Sequence, residues 1–375
     1  WEAHCELKLK NYGSALAAYL RHHMSGDPSA LHSLRMTIAR ALESGTTKDL
    51  EILAKDSLKR DLVTAYVLSR VESEPGYGMD SKLALKWLKA VEQSPVKAQY
   101  ADRVAWVFYR MGLFGDAQRW LNKAPTNGTL RQWLQAKLYL RDARIDEALV
   151  LLSKLTRAFP KAEVWYSSEF PQNSYSTDGF SPKAQVYAEL GLLKLGRCEY
   201  IEALDALLRA NYWEDAAYLA ERVLTVTELV TYVNQNWRVG KAGEGFRHLL
   251  ARRLVRHGRF AEARLYFPKK LRNSFDRYRL GLKKGADRNL SRLERAGQLW
   301  QAAIIARKQG MELMGTELEP DWFVHGGGYT GYSRAHLRKK AKSFSLTKAH
   351  AAEFERVENH TLTINKRFHY RYIAA

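Results

Sequence analysis

The sequence predicts an all-α fold, an α-solenoid of helical hairpins broken by two irregular loop insertions. Three observations point to it. A short pattern recurs: a small residue, an aromatic or large apolar residue two positions on, then alanine three further. It stands at Lys10-Tyr12-Ala15, Gly112-Phe114-Ala117, Ala143-Ile145-Ala148, Cys198-Tyr200-Ala203, Gly258-Phe260-Ala263 and Gly297-Leu299-Ala302. Over the first part of the chain the alanine position, carried by Ala15, Leu50, Ala84, Ala117 and Ala148, returns after 35, 34, 33 and 31 residues. Finally, the 375 residues are 46% apolar and 11% aromatic, enough for a packed interior, yet no run of 18 apolar residues offers a membrane span.

Taken in order, residues 1–160 form the regular array. One hairpin has Val104, Ala105 and Phe108 on its first helix and Phe114, Ala117 and Leu121 on its second, with Pro125 past the end. The next has Ala136 and Tyr139, then Ala148, Leu152 and Leu155, with Pro160 closing it. Weaker units centre on Leu50 and Ala84. Small residues at these positions let two helices cross closely, and the large ones fill the grooves between them. The step from Ala148 to Ala203 is 55 residues, and its surplus falls in residues 161–182, the first loop insertion, rich in Ser, Pro, Gly and Asn. Its aromatics, Trp165, Tyr166, Phe170, Tyr175 and Phe180, are expected to pack down between hairpins rather than stand exposed.

Residues 183–314 hold degenerate, basic repeats. Tyr187, Leu190 and Gly191 precede Tyr200 and Ala203, a helix follows the Asn211-Tyr212-Trp213 turn, and another turn is expected at Gly240 to Gly245. Residues 315–332 make the second insertion, with Trp322, Phe323 and a glycine triplet. Residues 333–375 form a basic helical segment. Tyr370, Ile373 and Ala374 match first-helix spacing, so a helix cut short by the chain end is expected there. The start at Trp1, without methionine, points to a processed or truncated product, a removed signal peptide included.

These units resemble the tetratricopeptide-repeat (TPR) superfamily, whose unit is a helix-turn-helix of about 34 residues. The resemblance covers residues 1 to 310, with the Trp and Pro positions filled irregularly, and extends to the large uncharacterised bacterial proteins of this class. It implies stacked hairpins that each cover the neighbour's apolar face. It supplies no activity.

Catalytic motifs find little footing. His325-Gly326-Gly327-Gly328 matches the oxyanion-hole motif of lipases, but the nearby Gly331-Tyr332-Ser333 lacks the glycine that a nucleophile elbow needs at Ala335, and an all-helical chain lacks the strands that would carry both. A glycine-permitted loop is the simpler expectation. His22 and His23 point to different sides of a helix, and His4 with Cys5 has no second pair at ligand spacing. Cys198 is expected to pack at its turn. No phosphate-binding loop is present, and no metal or other cofactor is expected. Two cysteines cannot build a disulfide framework, so the compartment stays open, cytoplasmic or periplasmic.

Charge is the sharper signal. The formal net charge is +20. Residues 1–240 carry 31 basic and 28 acidic side chains, residues 241–375 carry 29 and 12, so the excess is regional. From Arg247 to Lys308 there are 18 basic and four acidic residues, including Arg252-Arg253, Lys269-Lys270 and Lys283-Lys284. Arg288, Arg292 and Arg295, at i, i+4 and i+7, are expected on one helix face. Arg334, Arg338, Lys339, Lys340 and Lys342 form a second cluster, and Tyr266, Phe267, Tyr278, Tyr329 and Tyr332 are interleaved. Arg288, Arg292, Arg295, Lys339 and Lys340 are therefore the candidate contacts to a partner or anion.

The expected function is a non-enzymatic scaffold that holds a protein or peptide partner through a concave groove and the basic C-terminal surface. One alternative is nucleic-acid binding, RNA above all, through phosphate contacts and base stacking. The other is a superhelical accessory region of a cell-envelope enzyme; soluble lytic transglycosylases carry superhelices similar to this one, though their catalytic glutamate domain is not recognisable here.

Overall fold

A helix that stops leaves carbonyl groups unpaired, and one that starts leaves amides unpaired; the fold is best followed from the junctions that resolve both. The computed structural model describes residues 1–71, 81–94, 100–164, 181–236, 241–318 and 321–327. Among them are eighteen α-helices and no strand. The chain is all-α and divides into two compact units, Trp1–Val186 and Tyr187–Ala375.

The first unit holds α1 (Glu2–Lys8), α2 (Tyr12–Met24), α3 (Ser29–Ser44), α4 (Thr47–Lys55), α5 (Ser57–Val71), α6 (Ser81–Gln93), α7 (Ala101–Arg110), α8 (Phe114–Lys123), α9 (Thr129–Arg141) and α10 (Ile145–Ala158). Consecutive helices pair as hairpins, α1 with α2, α7 with α8 and α9 with α10 among them, and α5 touches α7 as α7 touches α9. The boundary between units falls in α11 (Pro182–Gly196). After it come α12 (Tyr200–Ala210), α13 (Trp213–Tyr218) with a π-helical turn at Leu219–Val223, α14 (Val226–Asn236), α15 (Lys241–Arg256), α16 (Phe260–Tyr266), α17 (Lys269–Ala286) and α18 (Arg292–Met314).

Six junctions share one backbone solution. Lys10, Gly112, Ala143, Cys198, Asn211 and Gly258 all sit in the left-handed region, with φ between 59° and 76°. Each closes the helix before it as a Schellman turn: the following residue donates to a carbonyl five positions back, as in Asn11 N–H to Glu6 O at 2.9 Å and Arg259 N–H to Leu254 O at 2.9 Å. That following residue is also the N-cap of the next helix. Its carbonyl accepts the first helical bond from the alanine four on, as at Ala117 N–H to Leu113 O, 2.9 Å. The alanine is thus always the fourth residue of its helix. Ala15, Ala117, Ala148, Ala203, Ala216 and Ala263 hold this place, with Leu50 and Ala84 at the same place in α4 and α6, and all eight are fully buried.

The recurrent pattern therefore marks a real turn, with two amendments. Asn211-Trp213-Ala216 is a member of the set. Gly297-Leu299-Ala302 is not: it lies inside α18, and the junction before that helix is instead a capping box between Ser291 and Glu294. Glycine two residues before a leucine and five before an alanine suits a helix interior as well as a turn, so local pattern could not separate them. The turn expected over Gly240 to Gly245 is likewise helical from Lys241 onward.

Small residues do set the helix crossings. A Cβ on Gly191 would fall 2.8 Å from Leu207 Cγ, and one on Gly281 would fall 2.9 Å from the Gln298 carbonyl oxygen. In the first unit the core is aromatic: Trp87, Trp120 and Trp133 are fully buried, Trp133 lies 5.7 Å from Trp106 and meets Phe159 edge-on at 5.8 Å, and the Trp87 indole N–H donates to Thr64 Oγ1. No helix of the described residues is long and apolar enough to cross a membrane.

Of the first insertion, only residues 161–164 and 181–182 are described, so Trp165 to Phe180 lie outside. So do the basic segment 333–375, with Lys339 and Lys340, and Tyr329 to Ser333.

Because alanine and cysteine carry a strained Cβ at positive φ, Ala143→Gly and Cys198→Gly should each raise stability by about 1 kcal/mol, and Gly112→Ala should lower it by a similar amount. Ala148→Leu and Ala203→Leu should cost about 1–3 kcal/mol by overpacking. Chemical denaturation of the full chain measures all five; unchanged midpoints throughout would mean that neither the left-handed turn nor the buried alanine governs stability.

Candidate functional site

Helices α9 and α10 each turn one stripe of side chains toward a shared groove of about 540 Å³. Arg131, Gln132, Gln135 and Tyr139 recur at helical spacing on α9; Asp146, Val150 and Lys154, with Glu147 and Leu151, do so on α10. Thr126 completes the lining. The stripes face each other because the Ala143 turn reverses the chain between them. Several lining groups are held from behind: Gln132 Nε2 donates to Thr126 O at 3.3 Å and Arg131 Nε to Leu121 O at 3.3 Å. At the turn, Arg144 pairs with Glu147 at 2.7 Å and lies over the Tyr139 ring at 4.0 Å. Val150 is 65% exposed and Lys154 is exposed. The groove offers amide hydrogen bonding from Gln132 and Gln135, both signs of charge, and apolar surface at Val150 and Leu151.

The basic region of the second unit separates into exposed and buried parts. On α17, Lys269, Lys270, Arg277, Arg279, Lys283 and Lys284 project outward to differing degrees, and its one acidic residue, Asp276, is engaged by Arg264 at 2.9 Å. The candidate face of Arg288, Arg292 and Arg295 is not one helix face. Arg288 lies in the turn before α18, Arg292 begins the helix, and Arg295 turns back to donate to the Gly285 carbonyl at 3.1 Å, satisfying the end of α17. The interleaved aromatics Tyr266, Phe267 and Tyr278 are buried and present no stacking platform. Burial alone pushes the Tyr278 hydroxyl up to about 12.

Arg252 and Arg253, which the sequence presents as surface charge, are core residues together with Arg256. Arg253 donates to the carbonyl of Ala220, whose usual donor, the Leu224 N–H, is drawn back to Leu219 O by the π-helical turn, and to the carbonyl of Leu224, where the helix ends. Arg256 pairs with buried Glu221, and Arg252 with buried Glu317. Both arginines also reach the chain after α18: Arg252 Nη1 donates to Gly315 O at 3.0 Å and Arg256 Nη1 to the same oxygen at 2.8 Å. The Glu317 N–H donates to Glu221 Oε1 at 2.9 Å, the Trp213 indole N–H to Glu317 Oε1 at 2.7 Å, and Phe323 lies under the Arg252 guanidinium at 3.7 Å. Burial would raise Glu221, but facing Arg256 and Arg253 outweigh it and hold the carboxyl below its ordinary range.

Sequence reasoning missed this network. The available signal was a stripe: His248, Arg252 and Arg256 recur every four residues on a helix that also carries the apolar Phe246, Leu249, Leu250 and Leu254. His248 Nε2 lies 2.6 Å from the Glu312 carbonyl. Burial, then the Arg252 charge, draws His248 down to about 4, and burial with Arg253 does the same to His257.

The glycine-rich loop has the simpler geometry expected. Gly326 and Gly327 have φ of 77° and 90°, while His325 is exposed and pairs with Glu214 at 3.1 Å. Thr316 and Asp321 bond each other across the loop, Thr316 N–H to Asp321 Oδ2 at 2.8 Å. Cys198 is exposed at its turn rather than packed, and so is Cys5. His22 pairs with Asp27 at 2.9 Å. Among the described residues no group of three or more His, Cys, Asp or Glu is placed to hold a metal ion. Comparison of the chain with protein-family models, with curated proteins and with solved structures finds no match.

Glu317→Gln leaves Arg252 buried without its counter-charge, so it should cost about 3–5 kcal/mol in urea unfolding; a loss below the measurement error would mean that the pair is not closed in solution. The two histidines fix a pH dependence. Their folded pKa lies below the unfolded value near 6.5, so the unfolded chain binds more protons between about pH 4 and 6.5. The histidine contribution to stability should be full above pH 6.5, fall as pH drops through that window and level off below it, with His248→Gln flattening part of the slope. A slope unchanged by that substitution would exclude His248 as its source.

Proposed function

We propose that the protein is a non-enzymatic helical-repeat scaffold of TPR type, whose groove on α9 and α10 and basic C-terminal surface hold a protein or peptide partner. The observation that carries this reading is the recurrence itself. Eight helices bury the same fourth residue and six junctions share one turn, a uniformity that suits stacked hairpins building an extended binding face. In this reading Gln132 and Gln135 bond the backbone of an extended segment, Val150 and Leu151 take an apolar side chain, and Arg131 and Lys154 favour acidic residues beside it. Cations on α17 add long-range attraction.

A random peptide library displayed against the full chain tests the groove. Recovered peptides should bind the double variant Gln135→Ala/Lys154→Glu about tenfold more weakly, near 1.4 kcal/mol, with Tm unchanged. Peptides that bind parent and variant alike, or none recovered, would reject the groove. The exposed cations of α17 favour one further reading, nucleic-acid binding by phosphate contact without stacking. Single-stranded RNA should then bind with a log–log salt slope steeper than about −4; no binding at low salt removes that reading.

A further inference from the structure

The hairpin of α17 and α18 presents an outer face unlike the inner one that packs it. Gly281 and Gly285 bring α17 onto α18, where Ala302, Ile305, Ala306 and Leu313 are buried. The opposite side of α18 is left open. Leu293 is 85% exposed and Trp300 is 66% exposed. With Gly297 between them and half-buried Ile304 beyond, they stand at i, i+4, i+7 and i+11, one continuous stripe of the helix. Ala296 and Gly297 are exposed, and a Cβ built on Gly297 would meet nothing within 4 Å, so the stripe has a hollow flanked by two large apolar side chains. Cations bracket it: Arg292 at one end, Arg307 and Lys308 at the other. All three are exposed, and none has a carboxylate partner among the described residues.

We propose that this face of α18 is a docking strip for an acidic amphipathic helix of a partner protein. The statement rests on the scaffold reading above and names the chemistry of one of its partners. A hollow of small residues between Leu293 and Trp300 accepts the ridge of a second helix. An apolar stripe of the partner covers both side chains, and its flanking Asp or Glu residues meet Arg292, Arg307 and Lys308. A second copy of the chain fits less well, because two such faces set antiparallel bring Arg292 of each against Arg307 and Lys308 of the other. A lipid surface fits less well too, since a membrane gains nothing from the hollow and the Glu294 carboxylate lies beside Leu293.

The probe is a stapled monomeric helix with Leu along one stripe and Glu on both flanks, titrated by fluorescence anisotropy into the full chain. A second version carries Lys in place of Glu. The acidic helix should bind in the micromolar range and the basic one at least about tenfold more weakly. Leu293→Glu and Trp300→Glu should each weaken binding about tenfold or more without lowering Tm, as both side chains stand in solvent. Gly297→Leu, the better helix former, should fill the hollow and weaken binding while Tm holds or rises. No binding of the acidic helix, equal binding of both helices, or binding indifferent to Trp300→Glu overturns the proposal. Anionic phosphatidylglycerol vesicles bound in its place, with loss in Leu293→Glu, assign the face to lipid and also overturn it. So does a dimer in sedimentation that Trp300→Glu dissolves. Peptide binding at the α9–α10 groove that survives any of these results leaves the scaffold reading standing; loss of both removes it.

Discussion

Two helices joined by a short turn need their loose ends closed together, since carbonyls stranded at one end and amides at the other lose several hydrogen bonds if burial removes water from them. At six junctions a single left-handed residue does this. It lets the next amide reach back to close the old helix, while the next carbonyl opens the new one. The geometry then dictates the rest of the hairpin. Two residues past the turn, a large side chain lies against the helix just finished, as Phe114 does against Tyr109 at 5.4 Å. Five past it stands the fourth residue of the new helix, an alanine at all six turns and fully buried. Alanine is buried there because the turn puts it there.

The two units fill their interiors by different chemistry around this common hairpin. The first relies on indole and phenyl rings packed at offset or edge-on angles, with buried Arg60 held by Asp61 as its charged exception. The second embeds three arginines and two glutamates. Their energetic value lies less in the ion pairs, whose desolvation offsets much of the attraction, than in what they tie together. Arg253 closes one carbonyl at the π-helical turn and one where that helix ends, and Arg252 and Arg256 fasten the segment after α18 to α15. Displacing the segment after α18 would leave Arg252 without its Glu317 counter-charge.

Most of the helical pattern was legible in the residue order, for a physical reason. Turn residue, large residue and alanine interact with positions no more than six away, so their spacing carries the geometry directly, and Lys10 could stand in a place more often held by glycine without hiding it. The failures have the same origin. Gly297, Leu299 and Ala302 reproduce the spacing inside a continuous helix, and what decides between turn and helix is the Ser291–Glu294 cap and the fit of Gly281 against Gln298, both outside the pattern. Arg252 and Arg253 read as surface charge because their partners Glu317, Ala220 and Leu224 lie 29 to 65 residues away. Of the candidate contacts, Arg295 was spoken for by the Gly285 carbonyl, which no periodicity could indicate.

Residue order alone thus settled the all-α class, the hairpin as the unit and the buried alanines that follow the recurrent turn, since those are local consequences of backbone hydrogen bonding. It also located the excess positive charge. Which of those charges reach solvent was settled by packing: α15 turned Arg252 and Arg256 inward onto two distant glutamates, while α17 and α18, drawn together by Gly281 and Gly285, left most of their cations and the Leu293–Trp300 stripe outside. Burial and partnership depend on helices far apart in sequence, and only their assembly brings the partners within reach.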